Sequence, residues 1–320
     1  MEKAFISVIV TAYNRKQFLL EALKSVVNQT LSRDKYEVIV TKNFGDEEID
    51  KFISDNKMKS ILFADAGIGQ MLSDAIKVCE GEVITFLDDD DMYVNSRVEA
   101  IYKIFSEKNN IIYFWNNSYR TRETKNIKNF DIKEPHMFKI NGLKDLIKYG
   151  KEYNLSNLSS IAVRRKVYSE DFLNKMRDIY WNVESLVTIP CLLSDGGYYY
   201  IDNRKLTIYR IHTENSSLGG DSAEKIKKIV RMAYYADLAY DSILKEYDLD
   251  FNPLFVFDKL RFYFIFDKNS KLSTKDIFDY VYSNILNFEL KRANLLILYF
   301  LSLLSNRVYI FTRKRILHLK

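Results

Sequence analysis

Val83-Ile84-Thr85-Phe86-Leu87-Asp88-Asp89-Asp90-Asp91 is the stretch on which the reading of this chain turns. Val83 to Leu87 is an apolar run of the kind that forms a strand buried on both faces of a parallel sheet. The four carboxylates fall where that strand leaves the sheet, and open α/β sheets bind ligands just beyond the carboxyl ends of their strands. Four adjacent like charges repel one another unless a cation neutralises them. Hard divalent cations such as Mg²⁺ or Mn²⁺ prefer oxygen ligands and can also bridge phosphate oxygens. An acidic run is most often a solvated turn, but the strand in front of this one favours a metal–diphosphate site.

Working outward, the first half alternates strand and helix patterns. Phe5 to Val10 is a continuous apolar strand, and Asn14 with Gln17 three residues on has the form of a capping box. Phe18, Leu19, Ala22, Leu23, Val26 and Val27 follow at helical spacing. Tyr36 to Thr41 and Ser60 to Phe63 read as further strands. Glu47 to Asn56 reads as a helix, and a second begins near Gly69, with Gly81 as its stop. This βαβαβαβ order predicts an α/β fold whose sheet is mostly parallel, with right-handed crossovers.

Further on, Asn95 to Lys108 is helical in pattern and Ile111 to Trp115 is a strand. Asn116 to Glu134 reads as a polar surface loop or hairpin, and residues 138–150 as a short helix. Ser159 to Arg164 is strand-like, Trp181 to Ser194 has helical periodicity, and Gly196-Gly197 turns into the strands Tyr198 to Ile201 and Leu206 to Tyr209. From about Asp221 the periodicity is helical throughout. The predicted organisation is therefore an α/β domain over 1–218 and an all-helical extension over 219–320, with Leu218-Gly219-Gly220 at the boundary.

At 320 residues, with 47% apolar and 14% aromatic residues, the chain can bury a sizeable core and is not a disordered one. Cys79 and Cys191 offer no disulfide framework, suit a reducing compartment and read as small core residues. The N-terminus lacks the pattern of a secretion signal, and the longest apolar run, Leu295 to Leu304, is too short to span a bilayer. The expectation is a cytoplasmic protein, peripheral at most on the cytoplasmic face of a membrane. The net charge of +5 belongs to the tail, because seven lysines and arginines and no acid follow Glu289.

Several segments together resemble family 2 glycosyltransferases of the GT-A fold. Ser7-Val8-Ile9-Val10-Thr11-Ala12-Tyr13-Asn14-Arg15 is similar to that family's opening strand and nucleotide-binding turn. Glu80-Gly81-Glu82 followed by Val83 to Asp91 resembles its G-E-x-I-x-F-L-D-x-D-D segment. Ser159 to Arg165 resembles a strand bordering the acceptor site, and Tyr209-Arg210-Ile211-His212-Thr213-Glu214-Asn215-Ser216 resembles a Y-R-x-H-x-x-N-x-S segment near the domain's end. Order and spacing agree over roughly the first 217 residues, and the terminal hundred have no such match.

The resemblance implies a metal-dependent, inverting transfer of a sugar from a nucleotide diphosphate sugar. It places Asp88 on the nucleoside and Asp90 on a divalent metal, Mn²⁺ or Mg²⁺. Asp89 and Asp91 tune the site, with the register among the four left open. Thr11, Tyr13 and Arg15 line the nucleotide pocket, His212 reaches metal or diphosphate, and Arg210 balances diphosphate charge or makes a structural ion pair. Inverting transfer needs a base for the acceptor hydroxyl, and Glu184, before the apolar run Leu186 to Leu193, takes that part, with Asp178 as the alternative. One departure stands out. Where the family carries Asp-Asp-Gly-Ser after its second strand, this chain reads Thr41-Lys42-Asn43-Phe44-Gly45-Asp46, so Asn43 is left to meet a base edge.

The acceptor is open at this level: a saccharide, a lipid-linked saccharide or a protein. Direct transfer to a polyprenyl phosphate, a nucleotidyltransferase, and a non-catalytic membrane scaffold with a degenerate GT-A domain are the alternatives. The aromatic-rich segment Phe251 to Phe266, and Leu295 to Leu304 followed by Arg307, Arg313, Lys314 and Arg315, suit an anionic membrane interface. No nucleic-acid module accompanies these charges, so no nucleic-acid partner is expected.

Overall fold

A computed structural model gives the fold. It describes residues 4–121, 134–142, 157–181, 183–194, 196–212, 222–249, 253–269, 271–278 and 290–317, with 145, 148, 149 and 153 besides. The chain divides into two compact units, Met1–His212 and Thr213–Lys320. The expected boundary at Leu218-Gly219-Gly220 lies outside the described residues, as does most of 138–150 and of the expected loop after Thr121.

The first unit is built on a mixed sheet in the order β3 (Lys59–Leu62), β2 (Tyr36–Lys42), β1 (Ile6–Ala12), β4 (Val83–Asp88), β8 (Ile161–Arg164), β6 (Ile111–Thr121), β9 (Tyr198–Arg210), β5 (Met92–Tyr93), with β7 (His136–Lys139) paired to β9. β1, β2, β3 and β4 run parallel. All seven residues of β1 are buried. A strand with neighbours on both sides and helices on both faces has no solvated face, which is why its sequence is apolar without alternation. α1 (Leu19–Val27), α2 (Glu47–Asp55) and α3 (Ile68–Val78) make the crossovers. α2 is the expected helix, with the Asp46 carboxylate accepting from the Ile49 N–H at its start.

Two local expectations are corrected. Asn14 does not cap α1, which begins after Phe18 without a side-chain cap. It sits in the left-handed region at φ 54 and instead bonds Asn43 across the two strand ends. Gly81 is not the stop of α3, whose C-cap is Cys79. It packs on β1, where a Cβ would lie 2.6 Å from the Ser7 nitrogen, and its N–H donates to the Ser7 hydroxyl at 2.9 Å.

Beyond β4 come β5 (Met92–Tyr93), α4 (Arg97–Glu107), β6 (Ile111–Thr121), β7 (His136–Lys139), β8 (Ile161–Arg164), α5 (Glu170–Lys175), α6 (Ser185–Leu193) and β9 (Tyr198–Arg210). β8 is antiparallel to β4 and β6, whereas β6 and β9 are parallel. Asn116 to Thr121, expected as the start of a surface loop or hairpin, continues β6. The two expected strands after Gly197 are one, β9, and the start of the expected helix over 138–150 is strand β7.

Arg97 holds this half together. It is fully buried and donates to Asn116 Oδ1 at 2.9 Å, Thr85 Oγ1 at 2.8 Å and Ile161 O at 3.3 Å, with its guanidinium 4.0 Å from the centre of the Tyr93 ring. One side chain thus joins β4, β5, β6 and β8. Each acceptor it satisfies would cost about 1–3 kcal/mol if left buried and unpaired. Cys79 and Cys191 are free and buried, and burial pushes the Cys79 thiol up to about 12, so it carries no thiolate at neutral pH.

The second unit contains the helices α7 (Ala223–Glu246), α8 (Pro253–Ile265), α9 (Leu290–Leu304) and α10 (Asn306–Ile316). Val256, Leu260, Tyr263, Phe264, Leu296 and Tyr299 form its core. No described helix is long and apolar enough to cross a membrane.

Asp237 on α7 is buried, its Oδ2 has no hydrogen-bond partner among the described residues, and burial followed by the charge of Asp258 raises its pKa to about 8, against a smaller pull from Lys259. A carboxyl whose pKa rises on folding favours the fold below its unfolded pKa near 4. That contribution is lost as pH climbs through the folded value. Asp237→Asn should therefore gain stability over the native chain between about pH 4 and pH 8, by at most about 1.4 kcal/mol per pH unit. Thermal melts of both proteins at pH 5 and pH 8 check this, and parallel pH profiles would contradict it.

Candidate active site

The parallel register of β1 and β4 sets Thr11 opposite Asp88. The turn after β1 therefore lies beside the carboxylates that follow β4. The Asp89 N–H donates to Thr11 O at 3.1 Å, and the Thr11 hydroxyl donates to Asp88 Oδ1 at 3.4 Å. Arg15 reaches back over this turn. Its Nε donates to Asp89 Oδ2 at 3.1 Å, and one terminal nitrogen bonds Asp89 Oδ1 and lies 2.7 Å from Asp90 Oδ2.

From the other side, β9 pairs with β5 so that Met92 faces Ile208, which carries the end of β9 past the acidic turn. The Arg210 N–H donates to Asp91 Oδ1 and its Nε to Asp90 O, each at 3.0 Å. His212 Nε2 lies 3.0 Å from Asp90 Oδ2. Phe18 touches both, its ring 4.5 Å from the Arg210 guanidinium and 4.8 Å from the His212 ring. The Arg210 guanidinium also pairs with Glu21.

Asp88, Asp90 and Asp91 each present an oxygen within 4.8 Å of the others. Burial, then the charges of Asp90, Asp91, Asp89 and Glu184, raise the Asp88 pKa well above the usual carboxylate range. Burial and Asp90 push Asp91 up to about 8, although the Ser159 hydroxyl and the Arg210 N–H oppose them. Among the described residues, Asp91 Oδ2 is buried without a hydrogen-bond partner. Burial also lifts Asp89 to about 6, against the bonds of Arg15. Burial disfavours the charge of Arg15, but Asp89, Asp90 and Asp88 outweigh it and raise Arg15 above an ordinary arginine.

Burial and mutual repulsion therefore disfavour the charges of these carboxylates in the protein alone. Three converging carboxylates, one with a bare buried oxygen, are hard oxygen donors that suit Mg²⁺ or Mn²⁺. Asp89 differs from them in that both of its oxygens are engaged by Arg15.

Glu184 occupies the N-cap position of α6, and its Oε1 accepts from the Asn157 N–H at 3.3 Å. Its charge is the last and smallest of those that raise the Asp88 pKa. Asp178 ends a short 3₁₀ turn, Met176–Asp178, and makes no hydrogen bond or ion pair to these carboxylates' partners among the described residues. Tyr13 is largely exposed on the β1 turn. Asn43 bonds Asn14 through two 2.7 Å hydrogen bonds, and Lys42 is buried, 2.8 Å from Asp50 and 2.7 Å from Phe44 O. Asn43 thus ties the ends of β1 and β2 together, and Lys42 ties β2 to α2.

Two contributors escaped the reading of the sequence as site residues. Ser159 accepts from the Asp88 N–H at 3.0 Å, and Asn157, at φ 85, presents the N–H that holds Glu184. Ser159 opens a segment already singled out, but nothing in its spacing reveals a partner more than seventy residues away.

Residues 7–172 match the family model for glycosyl transferase family 2. The chain belongs to that family. As a family 2 glycosyltransferase it is a transferase. An uncharacterized glycosyltransferase of Methanocaldococcus jannaschii is 27% identical over 248 residues, covering 73% of this chain and 79% of that protein. S. aureus TarS 1–349, solved in complex with UDP-GlcNAc, superposes with a TM-score of 0.54 at 16% identity, over 95% of this chain and 82% of that one. The mannosyltransferase PcManGT from Pyrobaculum calidifontis, solved with GDP-Man and Mn²⁺, gives 0.50 at 12% identity, over 98% and 84%. The fold is GT-A: a mixed sheet flanked by helices.

Proposed function

We propose that this family 2 glycosyltransferase moves a sugar from a nucleotide diphosphate sugar to an acceptor hydroxyl with inversion, using a divalent cation held by Asp88, Asp90 and Asp91. The observation that carries the reading is the convergence of those three carboxylates, one with a bare buried oxygen, at the end of β4. The Mn²⁺ and GDP-Man bound by a neighbour of the same fold support it. The cation supplies Lewis-acid neutralisation of the departing diphosphate.

The chain's own residues do the rest. Thr11, Tyr13 and Arg15 on the β1 turn and Asn43 on the β2 turn receive the nucleotide, with Asp88 placed for the ribose. Arg15 fixes Asp89 and Asp90, and Arg210 fixes Asp91 and the Asp90 carbonyl, so the carboxylates are held before a donor arrives. His212 beside Asp90 stands at the diphosphate side. Glu184 takes the acceptor proton as the hydroxyl oxygen bonds to the anomeric carbon, and the bond from that carbon to the diphosphate breaks. The acceptor is a saccharide, a lipid-linked saccharide or a protein. The test is release of a nucleoside diphosphate when the protein is given UDP-, GDP- and dTDP-sugars with Mn²⁺ and an acceptor panel. Release of pyrophosphate instead would favour a nucleotidyltransferase.

The second unit supports a peripheral membrane contact. On α9, Ile297, Phe300, Leu301 and Leu304 recur at helical spacing and are exposed, Leu304 to 88%. On α10, Arg307, Ile310, Phe311 and Lys314 share a face in the same way, and all four are exposed. Apolar side chains flanked by cations suit the boundary of an anionic bilayer. The full chain should sediment with phosphatidylglycerol vesicles more than with phosphatidylcholine vesicles, and Leu304→Asp with Phe311→Asp should abolish the difference. Equal partitioning of native and doubly substituted protein would contradict the contact.

A further inference from the structure

At the other end of β4 from the carboxylates, a cavity of about 810 Å³ opens between the end of β8, α3 and α5. Glu82 and Asp88 are six residues apart along the strand, roughly 20 Å at about 3.3 Å per residue, so this cavity is separate from the active site. Its wall carries four cations, Lys77, Arg164, Arg165 and Lys166, against two carboxylates, Glu82 and Glu170. Ile76, Leu173 and Tyr168 supply an apolar side.

The cations are not equivalent. Arg164 is spent on the fold: it donates to Ile111 O at 3.2 Å and Phe105 O at 2.6 Å, and it faces Glu82 at 3.5 Å. Lys77 is taken by Glu170 at 3.3 Å and Asn174 at 2.8 Å. Arg165 uses only its Nε, which donates to Gly81 O at 3.0 Å, leaving its two terminal nitrogens without partners among the described residues. Lys166 has no hydrogen-bond or ion-pair partner among them. Two adjacent uncommitted cations thus face a ligand-sized cavity whose acids are already engaged. An arginine fork beside a lysine matches a phosphate dianion in both charge and donor number. The volume lies within the range of small-molecule sites.

We propose that this cavity is an accessory site for a phosphate dianion, free or as the ester of a small molecule. Arg165 and Lys166 hold the phosphate, and Ile76, Leu173 and Tyr168 face the ester's body. The site stands apart from sugar transfer, and its test needs no donor or metal.

The experiment is calorimetric titration of the full chain in EDTA with inorganic phosphate, glycerol 3-phosphate and glycerol. Both phosphates should bind and glycerol should not. Tighter binding of glycerol 3-phosphate identifies an ester as the ligand, and equal binding identifies free phosphate. Lys166→Gln and Arg165→Gln should each weaken binding roughly tenfold, as expected for a charge-assisted contact. Lys166→Gln removes no hydrogen bond or ion pair among the described residues, so it separates ligand binding from folding even if Arg165→Gln loosens the contact with Gly81. Asp90→Asn should bind both phosphates as the native chain does, which places the heat away from the carboxylate site. Absence of binding at millimolar phosphate, or equal affinity in native and doubly substituted protein, would overturn the proposal.

Discussion

Asp90→Asn is expected to lower sugar transfer by about a thousandfold or more while leaving the melting temperature within a few degrees of the native value. A cation that neutralises a departing diphosphate contributes several kcal/mol to the transition state, and each 1.36 kcal/mol is a factor of ten in rate. Asp90 Oδ2 is the oxygen shared by Arg15 at 2.7 Å and His212 at 3.0 Å. Replacing it with an amide removes the charge that the cation, Arg15 and His212 share. The fold should hold, because the acidic turn is anchored by the Asp89 N–H on Thr11 O and by Arg210 on the Asp90 carbonyl. Initial rates of nucleoside diphosphate release and a thermal melt of the same preparation check both halves. Native activity in Asp90→Asn would remove the basis of the metal assignment.

Glu184→Gln is the second large effect, a loss of about 10²- to 10⁴-fold in kcat with a hydroxyl acceptor, the range typical of a missing general base. Glutamine keeps the shape and can still accept from the Asn157 N–H, so the start of α6 should stay in place. The same variant separates two acceptor classes. A polyprenyl phosphate is already anionic and needs no strong base, so transfer that survives Glu184→Gln would favour that acceptor. Loss of transfer with Glu184→Gln and not with Asp178→Asn would assign the base to Glu184.

How far the sequence led differs between the two halves of the first unit. β1 and β4 were legible because a strand buried on both faces is largely apolar, and α2 was read as a helix although its Asp46 cap was seen only in the structure. The second half was harder. Asn116 to Thr121 is polar yet lies in β6, because its polar groups are satisfied inside the sheet: Asn116 bonds Arg97 and Thr207. β7 begins where a helix was expected, since pairing with β9 overrides the local pattern. Within the site, the acidic run and its place after a strand could be read directly. The Asn14–Asn43 bridge and the support from Ser159 could not, because each is made by segments that meet only through the strand register.

The second unit was legible as helical from its periodicity, and the spacing at Ile297, Phe300, Leu301 and Leu304 was present in the sequence. That this face is solvent-exposed follows from packing. Leu296 and Tyr299, one residue away in each case, are the positions that turn inward.

The central claim is that the Asp88, Asp90 and Asp91 carboxylates hold a divalent cation that in turn holds the diphosphate of a nucleotide sugar. Its most direct test is the melting temperature of the native chain with UDP, GDP, CMP and dTDP, each with and without Mn²⁺, because a ligand that binds only the folded state raises it by mass action. The account predicts that one nucleoside diphosphate raises it, that the rise requires Mn²⁺, and that Asp90→Asn does not show it. A rise of equal size without metal, or no rise with any nucleotide in the presence of Mn²⁺, would contradict it.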